Sequence, residues 1–221
     1  MKRIILRFLS IIFAIVGISI LAYVVFPIAS YEILNFSRFS QYLSPVPEEE
    51  IPFDSASLDS TKASSWFVGG AEPANFVTPN ISFYTLSIPK LRIDEATVSI
   101  GGEDLEKSLI QYPGTALPGK RGNAAIFGHS ILPQFYNPKD YLTIFSTLPT
   151  LKKGDEVTVR YDGIVYNYRV EDMFEVKPTD LQVLEQNTSD SFLTLVTCVP
   201  PGDPRRPKRL IVRARLERPL E

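Results

Sequence analysis

The fold of this chain is decided by residues 190–215, DSFLTLVTCVPPGDPRRPKRLIVRAR. Within it, the apolar and β-branched run FLTLVT ends at Cys198, and a proline- and glycine-rich segment follows that no regular element can cross. A second apolar run begins at Leu210. If the two runs pair as neighbouring antiparallel strands, the end of the first lies beside the start of the second. The pattern therefore predicts that Cys198 and Arg209 lie close together.

Short strand-like runs separated by turn residues fill the chain from Phe83 onward. We predict eight strands, at Tyr84–Ile88, Ala96–Ile100, Ala124–Gly128, Glu156–Tyr161, Val165–Val170, Phe174–Val176, Phe192–Thr197 and Leu210–Leu216. Helical patterns are few, the best being Asp140–Leu148 and a shorter turn at Leu105–Ile110. So many short strands predict an all-β domain, built as a closed barrel or a sandwich.

The N-terminus carries a long apolar run. Residues 8–29 contain no charged side chain and, as a helix, would be about 30 Å long, which matches a bilayer core. A cleaved signal peptide is the main alternative, but its apolar core is usually shorter. Lys2, Arg3 and Arg7 precede the run, so the positive-inside rule predicts a cytoplasmic N-terminus and an extracellular domain.

These patterns divide the chain into five parts. We predict a cytoplasmic N-terminus at 1–7, a transmembrane anchor at 8–29, an extracellular stalk or linker at 30–81, a catalytic domain at 82–216 and a C-terminal tail at 217–221. The linker is rich in proline, serine and glutamate and keeps no apolar period. Trp66, Phe67, Phe76 and Val77 are its exceptions, and they suggest a strap that packs on the domain.

The composition offers few side chains that could act as a nucleophile or as a proton carrier near neutral pH. The net charge of -2 gives no reason to expect a nucleic-acid partner, and the chain has one cysteine and one histidine. Cys198 could be an inert buried side chain, and a lone His129 could be a packing residue. However, each ends a strand-like run and is followed by a loop, and Cys-His catalysis needs a thiol beside an imidazole. The pair is therefore a candidate catalytic site.

Arg209 is the candidate third member. A guanidinium stays protonated, so it cannot act as a base, but its fixed donors can bind an oxyanion or a substrate carbonyl. The alternative is a solvated charge within the basic cluster of Arg205, Arg206, Lys208 and Arg209. Arg209 differs from its neighbours because it immediately precedes the strand that starts at Leu210.

Three motifs in their order resemble those of the sortases, the membrane-anchored cysteine transpeptidases of bacterial surfaces. The motifs are GNAAIFGHS at 122–130, TLVTC at 194–198 and RLIV at 209–212, and the resemblance covers about residues 82 to 216. It implies a closed eight-stranded sortase-like β-barrel preceded by one transmembrane helix. It also implies a catalytic triad of His129, Cys198 and Arg209. Thr197 would line the site, and Leu181 and Val183 would contact an apolar side chain of the substrate.

The resemblance also implies a reaction and its partners. A secreted surface protein with an LPxTG-like sorting signal would be cleaved through a Cys thioacyl intermediate and transferred to an amine acceptor in peptidoglycan or a pilin. No metal or other cofactor is expected, although Glu103, Asp104 and Glu106 resemble the calcium-responsive loop of some sortases and could instead be solvated. A secreted cysteine hydrolase and a non-catalytic barrel that binds surface polymers remain alternatives.

Overall fold

The structure is a closed β-barrel preceded in the chain by one long helix. The computed structural model describes residues 2–35, 38–41, 61–67 and 81–217. Helix α1 covers Lys2–Asn35. The strands are β1 Ser40–Gln41, β2 Phe83–Ile88, β3 Ile93–Ile100, β4 Leu109–Gln111, β5 Gly122–Phe127, β6 Glu156–Tyr161, β7 Ile164–Val176, β8 Ser191–Val199 and β9 Lys208–Leu216. Short 3₁₀ turns are the remaining regular pieces of the described residues, at Ala63–Trp66, Pro89–Leu91, Pro133–Phe135, Leu148–Thr150 and Leu181–Leu184.

Eight of these strands form the barrel. They follow the order β7-β6-β2-β3-β4-β5-β8-β9, and β9 pairs with β7 to close the ring. The short β1 adds to β7 in parallel, outside the ring. The predicted closed eight-stranded barrel is confirmed.

Two of the predicted strands and one predicted helical turn differ from the structure. The runs at 165–170 and 174–176 belong to one strand, β7, which carries an irregularity between Val170 and Asp172 where it faces β9. Conversely, part of the predicted turn at 105–110 is strand β4, which pairs with both β3 and β5. All three β4 residues are buried, so packing between two strands overrides a weak local preference.

The predicted helix at 140–148 is instead a series of turns. Its backbone bonds span three residues, as from the Thr143 N–H to the Asp140 carbonyl and from the Ser146 N–H to the Thr143 carbonyl. Leu148 precedes Pro149, and the residue before a proline is disfavoured in the α conformation. The proline accounts for the end of the segment, and the turns before it run into the 3₁₀ turn Leu148–Thr150.

Successive side chains of β8 point to opposite faces of the barrel wall and contribute to two apolar clusters. Leu193, Leu195 and Val199 join the large cluster to which every barrel strand contributes, in the barrel interior. Val196 and Cys198 belong to a second cluster outside the barrel wall. The lone cysteine thus lies on the outer face of the barrel.

The C-terminal end of helix α1 is docked on the barrel. Among the described residues, Ile5–Leu34 is the one helix long and apolar enough to cross a membrane. Tyr31 and Phe39 are buried against the barrel, and the Tyr31 hydroxyl donates to Glu175 Oε1 at 2.8 Å. The predicted linker therefore begins with residues that pack on the domain. Residues 42–60 and 68–80, including Phe76 and Val77, and the tail residues 218–221 lie outside the described part of the chain.

Candidate active site

Strands β8 and β9 bring Cys198 and Arg209 together. In their antiparallel register the two residues are direct partners, so their side chains point to the same face of the sheet. Both are buried, with 5% and 4% of their surface exposed. The pairing inferred from the two sequence runs is confirmed.

His129 reaches the same place from the other side of β8. Strand β5 runs parallel to β8, and the last pair of their ladder is Phe127 with Val196. Parallel neighbours advance together, so His129, two residues beyond Phe127, comes level with Cys198. This neighbourhood joins segments that are far apart in sequence, and the strand patterns alone did not reveal it.

Two side-chain hydrogen bonds continue the β5–β8 register beyond the end of the ladder. The Thr197 hydroxyl donates to the Gly128 carbonyl at 2.8 Å, and the Ser130 hydroxyl donates to the Cys198 carbonyl at 2.6 Å. Thr197, next to Cys198, thus binds the backbone just before His129. Ser130, next to His129, binds the backbone of Cys198. We call these two bonds the cross-brace. They fix the backbones that carry His129 and Cys198.

Gly128 adds to this constraint because it has no room for a side chain. A Cβ built on it would lie 2.5 Å from Phe145 Cδ2 and 2.6 Å from Leu109 Cδ2. The close approach lets the backbone pass under Phe145 directly before His129. A larger residue at position 128 would displace the imidazole.

Removal of the cross-brace is expected to slow catalysis without weakening substrate binding. For Ser130→Ala and Thr197→Val we expect kcat to fall about tenfold or more with KM nearly unchanged, since misplacement of catalytic groups by small distances is costly. Ser130→Thr and Thr197→Ser, which keep the hydroxyl, should restore most of the rate. Steady-state kinetics on all four variants test this, and a loss of folding stability with unchanged kcat would contradict it.

His129 is buried, which favours its neutral form. It is 8% exposed, and its Nε2 has no hydrogen-bond partner within the described part of the chain. Burial, and next the positive charge of Arg206, lower the pKa of His129 from 6.5 to about 4, against an opposing effect of Asp104. At neutral pH the imidazole therefore carries no charge and can accept a proton.

Acidification is expected to destabilise the fold through His129. Between pH 6.5 and 4 the unfolded chain binds the proton and the folded chain does not, so stability present above pH 6.5 is lost as the pH falls. From pH 7 to pH 5 this one group should remove about 2 kcal/mol. Urea unfolding of the wild type and of His129→Gln at both pH values gives the difference. Equal losses in the two proteins would mean that the histidine is not held neutral by burial.

Arg209 is buried with its donors directed at carbonyl oxygens. Nε donates to the Trp66 carbonyl at 3.2 Å, and Nη1 donates to the carbonyls of Arg206 at 2.9 Å and Lys208 at 3.3 Å. The guanidinium carbon also lies 5.6 Å from the centre of the Trp66 ring. By contrast, the exposed Arg205 forms an ion pair with Asp203. Arg209 is thus distinct from the solvated part of the basic cluster.

Residues 61–67 form a strap over the site. The side chains of Ala63, Trp66 and Phe67 are buried in the cluster that contains Cys198. The Trp66 ring stacks on Phe127 at 5.4 Å and lies 5.7 Å from the ring of His129. The predicted packing of Trp66 and Phe67 on the domain is confirmed. Sequence reasoning did not find that Trp66 contacts two candidate catalytic residues.

The acidic loop 103–106 holds this strap. The Glu103 carbonyl accepts the Ala63 N–H and its carboxylate accepts the Ser64 N–H, both at 3.1 Å. Asp104 pairs with Lys107 at 2.6 Å, and hydrogen bonding to that ammonium lowers the pKa of the carboxyl group. Across residues 2–35, 38–41, 61–67 and 81–217, no three His, Cys, Asp or Glu side chains gather to hold a metal ion. Calcium binding here stays an untested hypothesis.

The three predicted substrate-contact residues are placed differently. Val183 is buried, and Leu181 packs against the cluster that contains Cys198. Thr197 lies on the opposite face of β8 from Cys198, with its hydroxyl on the Gly128 carbonyl. The structure therefore places Leu181 and Val183 on the outer face of the barrel, together with Cys198. Thr197 points to the other face, where it contacts Gly128.

The chain resembles known proteins in both sequence and fold. Residues 86–217 match the family model of the Sortase domain. Sortase A of Streptococcus agalactiae is 28% identical over 134 residues, which cover 60% of this chain and 52% of that protein. Sortase A of Staphylococcus aureus is 34% identical over 103 residues, covering 39% and 47%. The chain spans about half the length of the curated relatives it matches.

Solved structures with the same fold come from related proteins. The Clostridium perfringens sortase D5 transpeptidase matches with a TM-score of 0.53 and 27% identity, over 62% of this chain and 79% of that one. Sortase A of Corynebacterium diphtheriae matches with a TM-score of 0.54 and 28% identity, over 65% and 63%.

Proposed function

This chain belongs to the sortase family, and from that premise we propose that it is a cysteine transpeptidase of a bacterial surface. The observation that carries the proposal is the register of β8 and β9, which pairs the lone cysteine with a buried arginine. The parallel neighbour β5 ends at the same level, and the lone histidine follows it. A nucleophile, a proton carrier and an electrostatic donor are what acyl transfer through a thioester requires.

The proposed first half-reaction forms a thioacyl enzyme on an LPxTG-like sorting signal. The Cys198 sulfur attacks the carbonyl carbon of the threonine, and the thiol proton passes to His129. As the tetrahedral intermediate collapses, the C–N bond to glycine breaks and His129 returns the proton to the leaving amine. Arg209 stabilises the negative oxygen of the intermediate.

The second half-reaction transfers the acyl group to an amine. An amine of peptidoglycan or of a pilin attacks the thioester carbon and loses a proton to His129. The C–S bond then breaks, and His129 returns the proton to the Cys198 sulfur. The product is an amide that joins the surface protein to its acceptor. No cofactor takes part in this scheme.

The strap occupies the position in which we expect an acyl substrate to bind. Trp66 offers its backbone carbonyl to Arg209 Nε, which is the contact that a substrate carbonyl would need. A peptide that reaches Cys198 must therefore displace Trp66. The neighbouring Leu181 and Val183 remain proposed contacts for an apolar substrate side chain.

Loosening of the strap is expected to expose the thiol. Trp66→Ala removes the stacking on Phe127 and the cover over His129, and we expect alkylation of Cys198 by iodoacetamide to become about 10- to 100-fold faster. Phe83→Ala, at an exposed aromatic residue outside the strap, is the matched control and should react like the wild type. An unchanged rate for Trp66→Ala would mean that the strap does not limit access.

We place the domain outside a cell membrane, held by α1 as a single-pass anchor with the N-terminus in the cytoplasm. The support is the charge-free run of residues 8–29, which follows three basic residues. Protease added to intact cells should remove the domain and leave the segment before Phe8 protected. A protected domain would contradict this topology.

A labelled sorting peptide tests the proposed reaction. The protein should cleave it and, when an amine acceptor is added, form the ligated product in preference to the free acid. Free acid alone, unaffected by the amine, would indicate a cysteine hydrolase. No turnover and no adduct in either arm, also with Trp66→Ala, would leave only a non-catalytic barrel.

A further inference from the structure

The C-terminal part of helix α1 contacts the domain at the level of Tyr23 and again at Tyr31 and Glu32. Tyr23, Pro27 and Tyr31 are four residues apart, so they lie above one another on the helix surface. Tyr31 is fixed by its hydrogen bond to Glu175, and the adjacent Glu32 carboxylate lies 3.6 Å from Lys208 Nζ. The outer end of the helix is thus joined to β7 and β9, next to Arg209.

Pro27 leaves one backbone carbonyl of the helix without its usual partner. A proline has no N–H, so the carbonyl four residues earlier, that of Tyr23, receives no bond from within the helix. In an apolar environment such an oxygen is costly unless another group donates to it. The Gln134 side chain supplies that donor, since its Nε2 lies 3.3 Å from the Tyr23 carbonyl oxygen.

Gln134 belongs to a well-supported loop, residues 131–136. The Ile131 N–H donates to Ser146 Oγ at 2.9 Å, and the Tyr136 hydroxyl donates to the Leu91 carbonyl. Within this frame Phe135 is 54% exposed. An exposed aromatic side chain next in sequence to a residue that contacts a membrane helix is suited to the boundary between lipid headgroups and acyl chains.

The depth of the loop follows from the helix. Tyr23 lies six residues before Ala29, the end of the charge-free run, so its level is about 9 Å inside that end at 1.5 Å per residue. A loop that contacts Tyr23 is therefore at the level of the outer leaflet. The docked helix end prevents the domain from standing away from the bilayer.

We propose that residues 131–136 are a lipid-contact loop, docked by Gln134 on the carbonyl that Pro27 frees and inserting Phe135 into the outer leaflet. The inference rests on the proposed membrane anchoring. Because His129 lies two residues before the loop, the catalytic end of the barrel faces the membrane. Peptides would then be captured at the lipid surface, where a membrane-held substrate protein emerges.

Spin labels on the full chain in nanodiscs test the placement of Phe135. In a Cys198→Ala background, Phe135→Cys is labelled with a nitroxide, and its collisions with oxygen, which dissolves in lipid, and with a water-soluble nickel chelate are compared. Ile164→Cys, at an exposed residue that begins β7, is the water-exposed control. Phe13→Cys, within the charge-free run of residues 8–29, is the control expected to lie in lipid.

The Phe135 label should favour oxygen several-fold over the nickel chelate, between the two controls and closer to Phe13. If Phe135 behaves like Ile164 while Phe13 is buried, the lipid-contact loop is wrong and the anchoring stands. If the Phe13 label is also exposed to the chelate, the anchoring itself fails, and the loop proposal falls with it. None of these outcomes depends on enzymatic activity.

A double-mutant cycle tests the role of Gln134. Gln134→Ala should raise the nickel accessibility of the Phe135 label several-fold, and Pro27→Ala, which restores the helical N–H, should do the same. The two changes together should do no more than either alone, because they remove the same contact. Additive effects, or no effect of Gln134→Ala, would overturn the docking. Lys139→Ala, an exposed residue just beyond the loop, is the control for surface changes.

Discussion

Replacement of Cys198 by alanine is expected to abolish transfer of the sorting peptide and leave the domain folded. Cys198 is the one cysteine of the chain, and the hydroxyls of Ser130 and Thr197, the two that form the cross-brace, are already used as donors. Ser130 donates to the Cys198 carbonyl, and Thr197 faces the opposite side of β8. Neither of these hydroxyls is free to replace the thiol, so the rate should fall by at least about 10⁴-fold, as when a catalytic nucleophile is removed elsewhere.

The folding cost of this change should be small. One sulfur atom is lost from the outer apolar cluster, which corresponds to about 1 kcal/mol or less of unfolding free energy. Peptide turnover and thermal unfolding of the variant are the two measurements. If Cys198→Ala keeps even a tenth of the wild-type rate, the nucleophile has been assigned to the wrong residue.

Arg209→Lys is expected to slow thioacyl formation by about 10²–10³-fold. Lysine keeps the charge but loses the planar fork with which Arg209 now reaches three carbonyl oxygens. The expected loss equals that for removal of one oxyanion donor. Because the strap also loses its contact to Arg209, alkylation of the thiol should become faster in the same variant. Slower acylation with faster alkylation separates a catalytic role from general damage to the site.

Arg206→Lys is the control for Arg209→Lys. It belongs to the same basic segment and keeps the positive charge that helps to lower the pKa of His129. Its rate of thioacyl formation should stay within about twofold of the wild type. Equal rates for the two lysine variants would show that the Arg209 guanidinium has no catalytic role and that backbone N–H groups alone hold the oxyanion.

Local patterns predicted those parts of the site that lie on neighbouring segments. The run ending at Cys198, the proline-rich turn and the run starting at Leu210 describe one strand pair, so the Cys198–Arg209 register followed from pattern and pairing rules. The parallel pairing of β5 with β8 joins residues about 70 positions apart. No local period encodes such a pairing, and the position of His129 beside Cys198 needed the structure.

Other differences arise where packing overrides the local pattern. Strand β4 is three residues long, and its neighbours β3 and β5 define it as a strand. Thr197 follows the same rule: a strand alternates its faces, so the residue next to the candidate nucleophile points away from the substrate side. Trp66 was recognised as a packing residue, but its carbonyl contact to Arg209 depends on the folded path of the strap.

The most direct test of a cysteine transpeptidase here is the mass of the intact protein during reaction with an LPxTG-like peptide in the absence of an amine. We expect an added mass equal to that of the peptide fragment ending at threonine less one water, as for a thioester, located on Cys198 by peptide mapping. The adduct should disappear, with formation of the ligated product, when an amine acceptor is supplied. A peptide that is turned over with no adduct on Cys198, or with an adduct on another residue, would contradict the proposed mechanism.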